Sequence, residues 1–175
     1  MKKFRSIFLL LLCGGFFLTF ALGSSSDATS STDSEGTQSE KHELKTYKLN
    51  EDIYITNNSG KYRVKFTSIK ETSDRNQFAD TQANKVVVIE YEYENMTLED
   101  DLFISDTTNF KAYDKENNQL ETYPVDTKYS SNVSKGRKTT ASAAYALNSE
   151  SNYVELEFYD NVWNSKPDCK LVLEW

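Results

Sequence analysis

The chain has one histidine, two cysteines, two prolines and only six glycines among its 175 residues. Each scarcity removes a class of function. The single histidine, His42, stands at the end of a polar stretch, so schemes that pair a serine or cysteine with an imidazole lack their base. No GxSxG, HExxH, CxxC or phosphate-loop pattern occurs, which leaves the hydrolytic, zinc, redox and nucleotide chemistries without their residues. Two carboxylates for glycoside hydrolysis need no fixed spacing, yet nothing singles out a pair. The sequence therefore reads as non-enzymatic, with no cofactor and no metal site expected.

Positive charge is also short. Twenty Lys and Arg stand against 27 Asp and Glu, for a formal net charge of −7. Nucleic acid and anionic membrane surfaces both need a basic patch, so neither is an expected partner. Of the two cysteines, Cys13 lies in an apolar N-terminal run, which leaves Cys169 alone in the rest of the chain. One cysteine makes no internal disulfide, so the domain must be held by its core. Cys169 itself reads as a half-buried strand residue. After residue 24 no long window shows a helical period.

What is present begins with export. Lys2, Lys3 and Arg5 precede an apolar run from Ile7 to Leu22, and Ala21-Leu22-Gly23 leads into Ser24-Ser25-Ser26. A cationic start, an apolar stretch and small residues before a polar segment make a signal sequence, with cleavage expected after Gly23. Two alternatives stand beside it. The run of about 16 residues is at the short edge for an uncleaved membrane anchor. Cys13 could carry a lipid, although Leu12 is large for the preceding position and the apolar run continues past it through Phe20. All three readings place the rest of the chain outside the cell. Loss of residues 1–23 removes three cations and no anion, taking the net charge from −7 to −10.

Residues 24–44 are rich in serine, threonine and acid, with nothing to bury, and read as a disordered linker. Residues 45–175 suit one domain, expected to be a monomer. They are rich in Tyr, Phe, Val, Ile and Thr, a composition that favours strands. Ile53 and Ile55 lead through Asn57-Asn58-Ser59-Gly60 into alternating Tyr62, Val64 and Phe66, which predicts a hairpin. Lys85 to Asn95 is the strongest strand: Val87, Ile89, Tyr91 and Tyr93 should face the core, with Val88, Glu90, Glu92 and Glu94 outward. Asn109 to Tyr123 reads as a second hairpin around Asp114 to Asn118. Three more strands follow, over Thr139–Leu147, Tyr153–Tyr159 and Lys170–Trp175. Asp74 to Gln82 reads as a loop. Seven or eight short strands with a turn about every ten residues predict an all-β fold, an antiparallel β-sandwich.

The run Tyr62-Arg63-Val64-Lys65-Phe66-Thr67-Ser68-Ile69, the strand from Lys85 to Asn95, Phe110-Lys111-Ala112-Tyr113-Asp114, Ser134-Lys135-Gly136 and Tyr153-Val154-Glu155-Leu156-Glu157-Phe158 occur in an order that carries a resemblance. The chain resembles the immunoglobulin-like domain of unknown function found in secreted proteins and lipoproteins of Gram-positive bacteria. A mycobacterial immunoprotective extracellular protein is related to it in fold. Asn95 at the end of the central strand and Gly136 match that family. The turn glycine between Phe110 and Leu120 is absent, and Asn117-Asn118 stand in its place. The resemblance implies an immunoglobulin-like sandwich and an extracellular binding or accessory role, with no activity attached.

Three features are candidates for a site. Trp163, in the loop Asp160 to Ser165, either caps the end of the sandwich core or, if exposed, could anchor a protein or sugar partner, and Tyr153 and Tyr159 are expected on the outward face, where they could extend its patch. Glu90, Glu92 and Glu94 form an acidic row that reads as a solvated face. The acidic loop Glu99-Asp100-Asp101 with Asp106 offers oxygens to a cation but lacks the EF-hand spacing. The reading is an exported, non-enzymatic domain that binds a protein or cell-envelope component. The alternatives are a structural surface module with no specific ligand, and a small hydrolase or inhibitor.

Overall fold

A computed structural model describes residues 44–175. The proposed signal sequence, Cys13, His42 and all of the 24–44 linker except residue 44 lie outside the described residues. Within them there are eight strands: β1 (Thr46–Lys48), β2 (Asp52–Asn57), β3 (Gly60–Thr72), β4 (Lys85–Asn95), β5 (Phe110–Tyr113), β6 (Arg137–Leu147), β7 (Tyr153–Phe158) and β8 (Cys169–Glu174). They form two four-stranded sheets, ordered β1-β8-β7-β5 and β2-β3-β4-β6. The fold is an immunoglobulin-like β-sandwich. All pairings are antiparallel except that of β1 with β8, which is parallel. No described helix is long and apolar enough to cross a membrane. Residues 74–82 are loop, as their composition indicates.

Alternation sends one face of each strand inward. Val87, Ile89, Tyr91 and Tyr93 of β4 are all buried, and Val154, Leu156 and Phe158 meet them from the opposite sheet. The core-facing register of β3 changes along its length. Tyr62, Val64 and Phe66 are inward, then a bulge between Phe66 and Ser68 moves the inward set by one, so that Ile69 is buried. Phe110 joins the layers. Its ring centroid lies 5.2 Å from Phe66, 5.1 Å from Tyr91 and 5.7 Å from Phe158. Edge-to-face aromatic contacts of this kind add to what burial alone contributes.

β6 is covered on both faces. Ala141, Ala143, Tyr145 and Leu147 belong to the main core, while Ala144 and Ala146 pack with Val86 and Tyr123 in a second cluster. The cover is the loop before β4 and the segment around residues 121–128, whose backbone bonds to β6 through Tyr123 N to Ala144 O and Ala146 N to Glu121 O. The second hairpin is thus only half formed. β5 meets its return arm at a single bridge, Tyr113 with Gln119. Asn117 takes the turn's positive φ of 65°, the position a glycine was expected to fill.

Cys169 is fully buried rather than half-buried, because its β8 position faces inward opposite Phe158.

Candidate functional site

The β7–β8 loop begins where Phe158 pairs with Cys169. Asp160 ties it to the neighbouring sheet. Its carboxylate accepts a 2.6 Å hydrogen bond from the Tyr62 hydroxyl and a 3.1 Å bond from Asn57 Nδ2. Across the base of the loop, the Asp160 backbone N–H donates to Asp168 Oδ2 at 2.7 Å, and Asp168 N–H donates to the Phe158 carbonyl at 2.8 Å. At the tip, Asn161 makes a turn by accepting from Trp163 N–H on its side chain and from Asn164 N–H on its carbonyl. Six hydrogen bonds, four at the base and two at the tip, therefore fix a loop of about ten residues.

That loop carries Trp163 at 89% exposure, with Val162 beside it at 46%. A tryptophan this exposed has nearly its whole indole in water and free for a partner to cover. It does not cap the core.

The other two expected patch residues do not join it. Tyr159 has the outward parity of β7 but is only 4% exposed. Lys111 of the adjacent edge strand lies over its ring, 4.6 Å from the centroid, and its hydroxyl donates to Glu157 at 2.7 Å. Burial and the Glu157 hydrogen bond hold its phenol well above the ordinary range. Tyr153 is half-buried at the far end of β7, six residues and about 20 Å along the strand from Tyr159. The apolar tip is therefore Trp163 and Val162, not a three-aromatic patch. Asp160, Asn57 and Tyr62 position the tip and were not singled out from the sequence. Asp160 and Asn57 had a local signal, each at the first position of a turn-forming run.

The acidic row is not a free solvated face. Arg63 of β3 lies across it, only 13% exposed, with Asp52 at 2.7 Å, Glu92 at 2.5 Å and Glu94 at 2.9 Å. Lys65 and Lys138 extend the network to Asp52 and Glu92. The Arg63 hydrogen bond holds the Asp52 carboxyl below its ordinary value. Burial pushes the Glu92 carboxyl up, but Lys138 and Arg63 outweigh it and the net shift is downward. Glu90 alone remains exposed. The row's charge is spent inside the sheet surface.

The acidic loop disperses. Glu99 pairs with Lys135 at 2.5 Å, Asp101 accepts from the Ser134 hydroxyl at 2.7 Å, and Asp106 lies apart in a cleft beside β5. No group of three or more potential metal ligands gathers among the described residues.

The two positions matching the resemblance have structural work. Asn95 is fully buried; its side chain donates to the Asp100 and Val133 carbonyls and accepts from Leu98 N–H. Gly136 takes φ of 73° and donates its N–H to the Asn95 carbonyl at 2.7 Å. Together they fasten the β4 end to the turn that starts β6.

No curated protein matches the chain in sequence. Solved structures that share its fold include the following two. The secreted protein MPT63 of Mycobacterium tuberculosis is similar with a TM-score of 0.56 at 12% identity, over 74% of this chain and 96% of its own. The yjhA protein of Bacillus subtilis gives 0.51 at 15% identity, over 73% of this chain and 98% of its own. A family model described as a domain of unknown function (DUF5067) matches residues 24–160, most of the chain, and the protein belongs to that family.

Proposed function

We propose that this protein is an exported, non-enzymatic module that binds another protein or a cell-envelope component by inserting Trp163 into a pocket on that partner. The observation that carries this reading is the pairing of 89% exposure with a loop held by six hydrogen bonds. A rigid indole loses little entropy on docking, and buried tryptophans are the commonest binding hot spots. With only Val162 beside it, the tip suits a pocket rather than a broad flat interface. The N-terminal segment and the fold shared with a secreted protein support an extracellular setting.

The test compares the exported protein with Trp163→Ala in pull-downs from the producing cell's surface fraction. Trp163→Ala should lose the retained partner while its thermal midpoint stays unchanged. Retention equal to that of the wild type at micromolar concentration would remove the reading's support.

A further inference from the structure

The loop between β3 and β4 repeats the local geometry of the Trp163 tip. Asn76 accepts the Phe78 N–H on its side chain at 2.9 Å and the Ala79 N–H on its carbonyl at 3.1 Å, as Asn161 does for Trp163 and Asn164. The aromatic it presents, Phe78, is 83% exposed. The two loops stand at opposite ends of the sandwich. The Asn57 turn that leads into β3 bonds Asp160, whereas the Phe78 loop follows the far end of β3, thirteen residues or roughly 40 Å away.

Unlike Trp163, Phe78 stands beside a cleft. The cleft measures about 550 Å³, and Phe78, Pro124 and Val125 give it apolar surface. Asn76 ties its walls together: its N–H donates to the Tyr123 hydroxyl at 3.2 Å and its Nδ2 to the Pro124 carbonyl at 3.0 Å. Three charged residues line it. Arg75 donates its guanidinium N–H groups to the carbonyls of Thr72, Asp74 and Asn84. Asp74 and Asp126 are exposed, and neither has a salt bridge among the described residues. Two acids against one cation leave the cleft negative.

The projecting part of the Trp163 loop has the opposite sign. From Asn161 to Pro167 its one charged residue is Lys166, exposed and without a salt bridge among the described residues. Asp160 and Asp168 lie at the base, where their carboxylates accept from the loop's own N–H and from Tyr62 and Asn57.

We propose that the partner whose pocket takes Trp163 is a second copy of this chain: the indole of one copy seats in the cleft of the next, against Phe78 and Pro124, with Lys166 facing Asp74 and Asp126. This rests on the reading of Trp163 as an inserted tip and supplies its pocket. Contact of the indole with an aromatic ring adds to what burial alone contributes. The separation of the two ends keeps a copy's own tip out of its own cleft. Tip-in-cleft contact is heterologous, so a joined pair still has one free tip and one free cleft, and copies add head to tail. The interface is small, so copies are monomeric when dilute and associate where they are crowded, as on a surface.

The test is sedimentation equilibrium of the full chain, expressed for export so that its N-terminal processing is complete, from micromolar to millimolar concentration. The wild type should show a weight-average mass that rises with concentration. Trp163→Ala, which keeps the cleft, and Phe78→Ala, which keeps the tip, should each stay monomeric with an unchanged thermal midpoint. Mixed, they should form a dimer and nothing larger, because one supplies the tip and the other the cleft. Lys166→Glu should weaken association several-fold, and adding Asp126→Lys to the same chain should recover it. A wild type that stays monomeric throughout, association that survives either alanine variant, or a mixture of the two that stays monomeric overturns the proposal. If the wild type stays monomeric while Trp163→Ala still loses its surface-fraction partner, the self-pairing falls and the tip reading stands. If Trp163→Ala keeps both that partner and the association, both fall.

Discussion

Asn95 should be among the most costly single positions in the domain to truncate. Its side chain serves three backbone groups in the connection that follows β4: it accepts from Leu98 N–H at 2.9 Å and donates to the carbonyls of Asp100 at 2.9 Å and Val133 at 3.1 Å. In Asn95→Ala the three losses are unequal. The Val133 carbonyl keeps the Leu102 N–H at 2.9 Å. The Asp100 residue is exposed and its carbonyl can turn to water. Leu98 is 8% exposed, and its N–H is left buried without an acceptor, which costs about 1–3 kcal/mol. The truncated amide also leaves a small void, worth about 1 kcal/mol. The total is about 2–4 kcal/mol, or roughly 8–16 °C in thermal midpoint for a domain of this size. Urea unfolding followed by circular dichroism measures it, with the m-value as a check that two-state behaviour holds. A loss below about 1 kcal/mol at unchanged m would show that the connection does not depend on this side chain.

Asn95→Asp separates the acceptor role from the donor role. The aspartate keeps an oxygen for Leu98 N–H but turns another toward two carbonyl oxygens. The buried carboxyl then has a folded pKa above its unfolded value. Such a group contributes most below the unfolded value near about 4 and loses that contribution as pH rises through the folded one. The deficit relative to wild type should therefore be larger at pH 7 than at pH 4. Equal deficits at both would refute the donor assignment.

Three other perturbations test the rest of the frame. Arg63→Met leaves Asp52, Glu92 and Glu94 facing one another and should cost about 3 kcal/mol. Because Asp52 and Glu92 sit below their ordinary values, their contribution is present above about pH 4 and is lost as pH falls through the folded values; the acid limb of the stability curve should be shallower in Arg63→Met, read by thermal melts from pH 2 to 7. The Cys169 thiol, pushed up to about 12 chiefly by burial and then by Asp168, should resist a thiol reagent at pH 8 in the native state and react on unfolding in urea. Gly60 has φ of 141°, and a Cβ there would meet Thr97 Oγ1 at 2.9 Å and Leu98 N at 3.1 Å, so Gly60→Ala should lose about 1–3 kcal/mol in the same urea assay.

How far the sequence could be read follows from which interactions are local. Alternation marked β4 and chose its buried face, because period and burial coincide over the nine positions from Val87 to Asn95, whereas Val86, outward by parity, is buried under the second cluster. β1 had no such signal: three residues held by a parallel partner at the other end of the domain carry no period of their own. The bulge in β3 was equally silent, since Thr67 and Ser68 are ordinary strand residues and only the jump from Phe66 to Ile69 betrays it. At the candidate sites the same division holds. A lone loop tryptophan was visible because no alternation claimed it, but whether it capped the core or stood in water was not legible, and its exposure decides that. Tyr159 was assigned outward by its own strand, and rightly by parity, but the lysine that covers it belongs to β5. The glutamates of β4 were assigned to the outer face, yet their neutralising arginine is set by the β3–β4 register. Phe78 is the extreme case. It lies in a stretch that reads as loop, so no period says whether its ring is buried or exposed. Its cleft is fixed by the Asn76 bonds to Tyr123 and Pro124, 47 and 48 residues on. Local pattern thus reports which face a side chain takes, while the chemistry of its tip is decided by segments distant in sequence, and in this domain both candidate sites depend on such segments.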